Sequence, residues 1–514
     1  MLGRKSARLA AAGVAMALAL SACGGSDGDS GNAGGSGSGG TLTLGSIVAP
    51  PSLAAAESSW ANGSPYVQAV YDSLLRQAPD GSVEPWLATE WSYDDARTVL
   101  TMTLRDDVTF TDGTPFTADV AAQNVLRFRD GTSAQASKLA NVADATAVDD
   151  TTLQITLTAP DPGLLTYLAQ AGGAQASPAS FDAAEAATAP VGSGPYVLDA
   201  DRTVIGSTYV FTKNPEYWAP DEQHYDELVI NVFTTAQTQV NAIQGGQVDA
   251  TNLIDNQSGP QIEGAGYTIQ TVELNWAGLI LFDRAGQLNP ALGDVRVRQA
   301  IAHAIDRDAL LEGAAGGLGT VTGQVFREGS DAYDPELDDR YDYDPDAARD
   351  LLAEAGYPDG FTLEMPFFDI GLDPAFDLTA QYLSDVGITV EYTTIALADA
   401  FTQVLGGSFP ATLFYLSEDS TTWQTAQVSI AQGSTFNVFH QPDETVAGLL
   451  STIQTGSEDE AAAAATELNE YVVEQAWFVP YYRAQLGFAS GPDTDVVLQS
   501  DNAYPLLQNI TPAA

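Results

Sequence analysis

The chain holds one cysteine in 514 residues, Cys23, at the end of an apolar run. A single thiol cannot close an internal disulfide, so whatever this sequence folds into must be held by its core. Arg4, Lys5 and Arg8 precede the apolar stretch Leu9 to Leu20, which is short for a membrane span and reads as an export signal. Removing the 22 residues before Cys23 leaves 492 of the 514. That is more than one hydrophobic core supports, so two or more lobes are expected. Hydrophobic content of 45% and aromatic content of 9% suit a globular fold.

Leu20-Ser21-Ala22-Cys23 resembles a bacterial lipobox, which implies cleavage before Cys23 and lipidation of its thiol. The plainer alternative is a secretory signal with an incidental cysteine. Gly24 to Gly40 is almost all Gly, Ser, Asp and Asn, and reads as a flexible tether. No later stretch is long and apolar enough for a transmembrane helix, so the lipid would be the membrane anchor.

The net charge of −49 repels phosphate backbones and argues against nucleic-acid binding. The acids are spread along the chain, which suits a solvated surface; the alternative role is steering of cationic solutes.

Thr41 to Gly45 reads as a first strand. Thr98 to Leu104 alternates, with Leu100, Met102 and Leu104 on one face, and Thr151 to Leu157 alternates again. Between them Asp112-Gly113 marks a tight turn, and Thr117 an N-cap with Asp119 in the first helical turn. Leu228 to Phe233 and Thr271 to Phe282 read as strands, with a helix from Ala236 to Gln244. Further on, helix and strand units alternate. Asp294 caps one helix, and Asp306 a second that ends near Gly313. Asp344-Pro345 and Asp373-Pro374 start two more, which Gly356 and Gly387 stop. Strands follow at Phe361 to Met365 and Ile388 to Tyr392, so this part predicts an α/β lobe with parallel strands. A last long helix runs from Glu458 to about Glu474, before a strand at Phe478 to Tyr482.

Several pieces also carry a resemblance. They are Pro85-Trp86-Leu87-Ala88 with Trp91, Leu104-Arg105, Val108-Thr109-Phe110, Asp112-Gly113, Pro115 and Thr117-Ala118-Asp119-Val120. Gly192-Ser193-Gly194-Pro195-Tyr196, Asn214-Pro215-Glu216-Tyr217-Trp218, Gln247-Val248-Asp249-Ala250 and Val297-Arg298-Gln299-Ala300-Ile301 with Ala304-Ile305-Asp306-Arg307 join them. Together they resemble the family 5 extracellular solute-binding proteins, the oligopeptide, dipeptide and nickel-binding group of ABC importers. The resemblance implies a two-lobed, type II periplasmic-binding-protein architecture of α/β class, with an extra inserted domain and a hinge between lobes. It places domain I at 41–74, 186–273 and 484–514, domain II at 75–185, and domain III at 274–483.

Residue chemistry gives enzymes little support. The three lysines, Lys5, Lys138 and Lys213, lie in neither a Walker A loop nor an S-x-x-K arrangement. Val191 breaks the G-x-S-x-G pattern around Ser193. His224, His303 and His440 lie outside any H-E-x-x-H motif and read as structural. A hydrolase built on two carboxylates is the remaining catalytic alternative. The resemblance instead implies a receptor that captures a peptide between its lobes, without cofactor or metal, and delivers it to a membrane permease with ATPase partners, outside the cytoplasm. In peptide-binding members a G-W-x-x-D aspartate pairs with the ligand ammonium, and that position falls on Asp419, with Glu418 beside it. Tyr415-Leu416 stands where that motif has Gly-Trp, which keeps oligosaccharide and metal-chelate ligands open. Trp60, Trp276, Tyr415 and Trp423 are the aromatics expected near the cleft, with core packing as the alternative role of each.

Overall fold

Two long antiparallel strands, Thr268–Leu281 and Phe478–Ser490, run through the centre of the computed structural model, which describes residues 39–183, 185–368, 371–419 and 421–513. Cys23 and most of the expected tether lie outside the described residues. The two strands belong to a nine-stranded mixed sheet. On one side they continue to Ala411–Ser417. On the other, Ala250–Asn252 pairs with the second of them, and Thr41–Ser46, Glu227–Val232, Thr208–Lys213 and Tyr196–Leu198 follow in that order.

Buried apolar residues divide along this sheet. One core gathers Leu42, Leu44, Leu228, Ile230, Phe488 and Tyr504. The second part of the chain builds its own cores, one with Leu279, Val297, Ile301, Leu363 and Met365, another with Trp276, Phe282, Trp423 and Phe478. These are the two lobes. The long strands pass from one to the other, and their register shifts between Val272 and Asn275. A second shift falls between Ala277 and Gly278; an interrupted ladder loses backbone hydrogen bonds and bends locally, so the crossing is a place where the sheet can flex.

The inserted domain is an antiparallel sheet in the order Ala88–Tyr93, Val99–Leu104, Thr152–Leu157, Val142–Ala147. Leu100, Met102 and Leu104 are buried on one face, as their alternation requires. Helix Ala118–Arg129 covers the sheet; Thr117 caps it by accepting from the Val120 N–H, and Gly113 turns the chain before it with φ of +84°. The turn needs positive φ, which glycine adopts without strain.

Three local expectations change. The helix after Asp306 runs Arg307–Ala315 and ends at Gly316, whose φ of +65° makes the left-handed stop that Gly313 was expected to supply. Asp373 is the first helical residue and not the cap; buried Leu372 precedes it, and its carbonyl accepts from Ala375 and Phe376. Within the second lobe, parallel pairing is confined to Phe361–Phe367 with Ile388–Thr394, because the crossing strands run in opposite directions and impose antiparallel pairing on Ala411–Ser417.

Three of the motifs that carried the resemblance, those with Trp86, Ser193 and Tyr217-Trp218, converge on one buried carboxylate. Asp72 accepts from Trp86 Nε1 at 2.9 Å, Trp218 Nε1 at 3.0 Å, Tyr217 OH at 2.9 Å and Ser193 Oγ at 2.8 Å. Burial raises its pKa, and these four donors oppose the rise. Arg76 lies over Trp86 and Arg105 over Trp218, so the node is sheathed in cation–π contacts. It joins the first lobe to the start of the inserted domain.

Candidate functional site

A cavity of about 470 Å³ opens between the lobes. That lies within the span of roughly 300–1,000 Å³ typical of small-molecule sites. Trp60, Asn62, Asn252, Asp501 and Asn502 line it from the first lobe, Gln135, Lys138 and Gln170 from the inserted domain, and Ser417, Glu418 and Asp419 from the second lobe. Leu274, Asn275, Leu486 and Gly487 of the crossing strands form part of the wall.

Local structure explains each position. Strand Ala411–Ser417 pairs with the crossing strand, Leu416 opposite Trp276 and Ser417 opposite Asn275. Glu418 and Asp419 therefore leave the sheet edge at the lobe boundary. Ser417 Oγ donates to Asn275 Oδ1 at 2.7 Å, fixing that edge. Trp60 is held through its backbone N–H, which donates to Gln135 Oε1 at 2.8 Å. Asp501 is reached by Gln77 Nε2 at 2.8 Å, and Gln77 in turn accepts from Gln170 Nε2 at 3.0 Å.

The carboxylates differ in setting. The Glu418 side chain is 1% exposed. Its Oε2 accepts from the Arg327 backbone N–H at 2.8 Å and from Arg483 Nη1 at 3.3 Å. Burial pushes Glu418 from 4.5 up to about 7, outweighing the two arginines that pull it down. Arg327 also donates to the Ser500 carbonyl, so the second-lobe acid and the first-lobe loop carrying Asp501 share one arginine.

Asp419 meets Lys138 Nζ of the inserted domain at 3.0 Å, across the cleft. Their side chains are 25% and 20% exposed. A pair this open to water contributes about 0–1 kcal/mol, so it holds the lobes together only weakly. Gln454 Nε2 to the Pro160 carbonyl and Arg97 Nη1 to the Gly456 carbonyl, each at 2.9 Å, are further contacts between the inserted domain and the second lobe.

Four residues of this wall carry a side-chain atom that is shut off from solvent and unpartnered among the described residues: Trp60 Nε1, Glu418 Oε1, Asp501 Oδ1 and Asn502 Oδ1. A buried polar group left without a partner costs about 1–3 kcal/mol. Three acceptors and one donor at one cavity therefore amount to unused hydrogen-bonding capacity.

The expected aromatics separate. Trp60 lines the cavity. Trp276 is 0% exposed and packs edge-on against Phe478, 5.8 Å between ring centres, inside the second lobe. Tyr415 is half-buried against that lobe's core and absent from the cavity wall. Trp423 lines a different opening. His224, His303 and His440 each bond a backbone carbonyl, of Gln508, Asp342 and Gln432. Lys138 and Asp501 escaped the sequence reading. Lys138 left a trace, as one of three lysines amid 68 acids. Asp501 left none, because its partner Gln77 lies 424 residues away.

Comparison with known proteins places the chain in a family. The model of the bacterial extracellular solute-binding proteins, family 5, matches residues 82–446. The nickel-binding periplasmic protein of Escherichia coli (strain K12) is 29% identical over 302 residues, 56% of each chain. The glutathione-binding protein GsiB of the same strain is 28% identical over 349 residues, 65% of this chain and 66% of its own. The match thus spans less than two thirds of either relative. The solved structure of HbpA2 from Haemophilus parasuis gives a TM-score of 0.82 at 22% identity, covering 92% of this chain and 100% of that one. Two lobes joined by a strand crossing, an inserted antiparallel domain and a matched span of well over half the sequence agree: the chain belongs to the family 5 bacterial extracellular solute-binding proteins.

Proposed function

We propose that the chain is the receptor of an ABC importer, capturing a peptide in the interlobe cavity and handing it to a membrane permease. The supporting observation is the cavity wall itself, drawn from both lobes and the inserted domain, with three carboxylates (Glu418, Asp419, Asp501) against one ammonium (Lys138). A wall that sets carboxylates, a lysine and many primary amides around one cavity favours a solute with both charges and both hydrogen-bonding senses, as a peptide supplies. One relative is named for glutathione, a tripeptide. In this reading domain I is 41–74, 186–273 and 484–514, domain II is 75–185, domain III is 274–483, and the register shift at 272–275 is the hinge. Lipidation at Cys23 would tether the receptor outside the cytoplasm, and among the described residues no helix is long and apolar enough to cross a membrane. The chain performs no catalysis in this account.

An oligosaccharide is the second reading, favoured by the primary amides of Asn62, Gln135, Gln170, Asn252, Asn275 and Asn502 along the wall. Calorimetry separates the two. A peptide with a free N-terminus is expected to bind at least tenfold more tightly than its N-acetylated form, and Asp419→Ala is expected to erase that difference. Equal binding of both forms by the parent protein refutes ammonium recognition; an undiminished difference in Asp419→Ala removes Asp419 from that role.

A further inference from the structure

A second opening, of about 590 Å³, lies between the inserted domain and the second lobe. Asn141, Trp423, Gln427, Ile430, Gln441 and Leu450 are among its walls. It shares no lining residue with the interlobe cavity, yet the two are neighbours along both walls. On the inserted domain, Lys138 lines the inner cavity, and Asn141, three residues on, lines the outer one. On the second lobe, Asp419 lines the inner cavity, and Trp423, at the start of helix Thr422–Ser429, lines the outer one. The 3.0 Å contact between Lys138 and Asp419 therefore stands where one chamber gives way to the other.

We infer that the two openings are one binding site in two chambers, divided by the Lys138–Asp419 pair, and that the chain takes extended peptides whose far end occupies the outer chamber. The inference rests on the peptide reading above.

The chemistry of the outer chamber suits a peptide chain, and Asp443 and Glu444 on its wall add carboxylates that a basic side chain of that peptide could meet. Primary amides line it: Asn141, Gln432 and Gln454 each donate one bond within the protein, to Asp161, His440 and Pro160, which leaves their second N–H and their carbonyls, with Gln427 and Gln441, to meet the alternating groups of a backbone. Gln441 Nε2 is buried and unpartnered among the described residues. Ile430, Val446 and Leu450 beside the Trp423 indole give apolar surface for side chains without selecting one. The partition is suited to opening. Both its side chains are partly exposed, so water solvates the charges as they part. Lys138 Nζ also lies 5.4 Å from the centre of the Tyr167 ring, which retains it by cation–π attraction when Asp419 lets go. A short peptide fills the inner chamber, its ammonium meeting Asp419 from that side while Lys138 stays beside the carboxylate. A long one passes between the two side chains and uses the amides beyond.

Calorimetry with the dipeptide Ala-Ala and the hexapeptide of alanine tests this, using the folded chain from residue 24. Ala447 and Ser451 are exposed residues of helix Glu444–Thr455 that face the outer chamber. Ala447→Trp is expected to weaken hexapeptide binding at least tenfold more than dipeptide binding, and Ser451→Trp to do the same from the next turn. Lys138→Met is expected to speed hexapeptide association severalfold over dipeptide association. Equal effects of both tryptophan substitutions on the two peptides overturn the two-chamber site, as does a dipeptide that binds while the hexapeptide does not. If neither peptide binds, the peptide reading and this inference fall together.

Discussion

Glu418 is the residue whose environment says most. Its ordinary carboxyl pKa of 4.5 is raised to about 7 by burial. Because the folded value lies above the unfolded one, the proton is favoured by folding; this contribution to stability is complete below about pH 4.5 and lost as pH rises through 7. The parent protein should therefore lose stability as pH rises from about 4.5 through 7, and Glu418→Gln should flatten that loss, read as urea midpoints across pH. Asp419 with Lys138, and Arg327 with Arg483, are the charges around this site. Asp72 makes the structural counterpart. Asp72→Ala would strand four donors, those of Ser193 and Tyr217 on buried side chains, and should lower stability by about 3 kcal/mol in urea unfolding. Sequence alone showed Trp86, Ser193 and Tyr217-Trp218 in separate motif pieces. That one carboxylate gathers them is a fact of three-dimensional closure, invisible to periodicity.

At the scale of elements, local rules worked where local chemistry decides. Alternation located Val99–Leu104 and Thr152–Leu157, and a threonine cap located helix Ala118–Arg129. They failed where packing decides. Leu372 is drawn into the core and starts its helix one residue earlier than Asp373-Pro374 suggested. The crossing strands override the parallel arrangement that alternating helices and strands predict. Their contact is unusually close: a Cβ at Gly278 would sit 2.3 Å from the Val479 carbonyl oxygen and 2.7 Å from the Pro480 Cα. Neither atom belongs to a side chain that can swing away. Gly278→Ala should cost about 1–3 kcal/mol by overpacking, seen as a lower urea midpoint. Beside a register shift, it should also disturb the passage between lobes.

For the whole molecule, the family was legible in the sequence, because its signature residues are framework and hold fixed spacing. The ligand was far less so. Cavity residues come from five stretches, 47–62, 135–170, 252–275, 417–419 and 486–503, and no local pattern links them. Of the aromatics expected at the cleft, Trp60 lies on its wall and Trp276 is sealed in a core, a distinction that only tertiary packing makes. What the fold supplies is a pair of separately packed lobes, a compliant crossing and a polar cavity between them. In the proposed reading such an arrangement would convert solute binding into lobe closure, since a solute touching both walls favours the state in which both reach it. Native mass spectrometry of the chain from residue 24, mixed with di- to hexapeptides, tests this most directly. The account predicts one intact peptide per chain, released at unchanged mass; a protein that retains no peptide, or one that returns cleaved fragments, would contradict it.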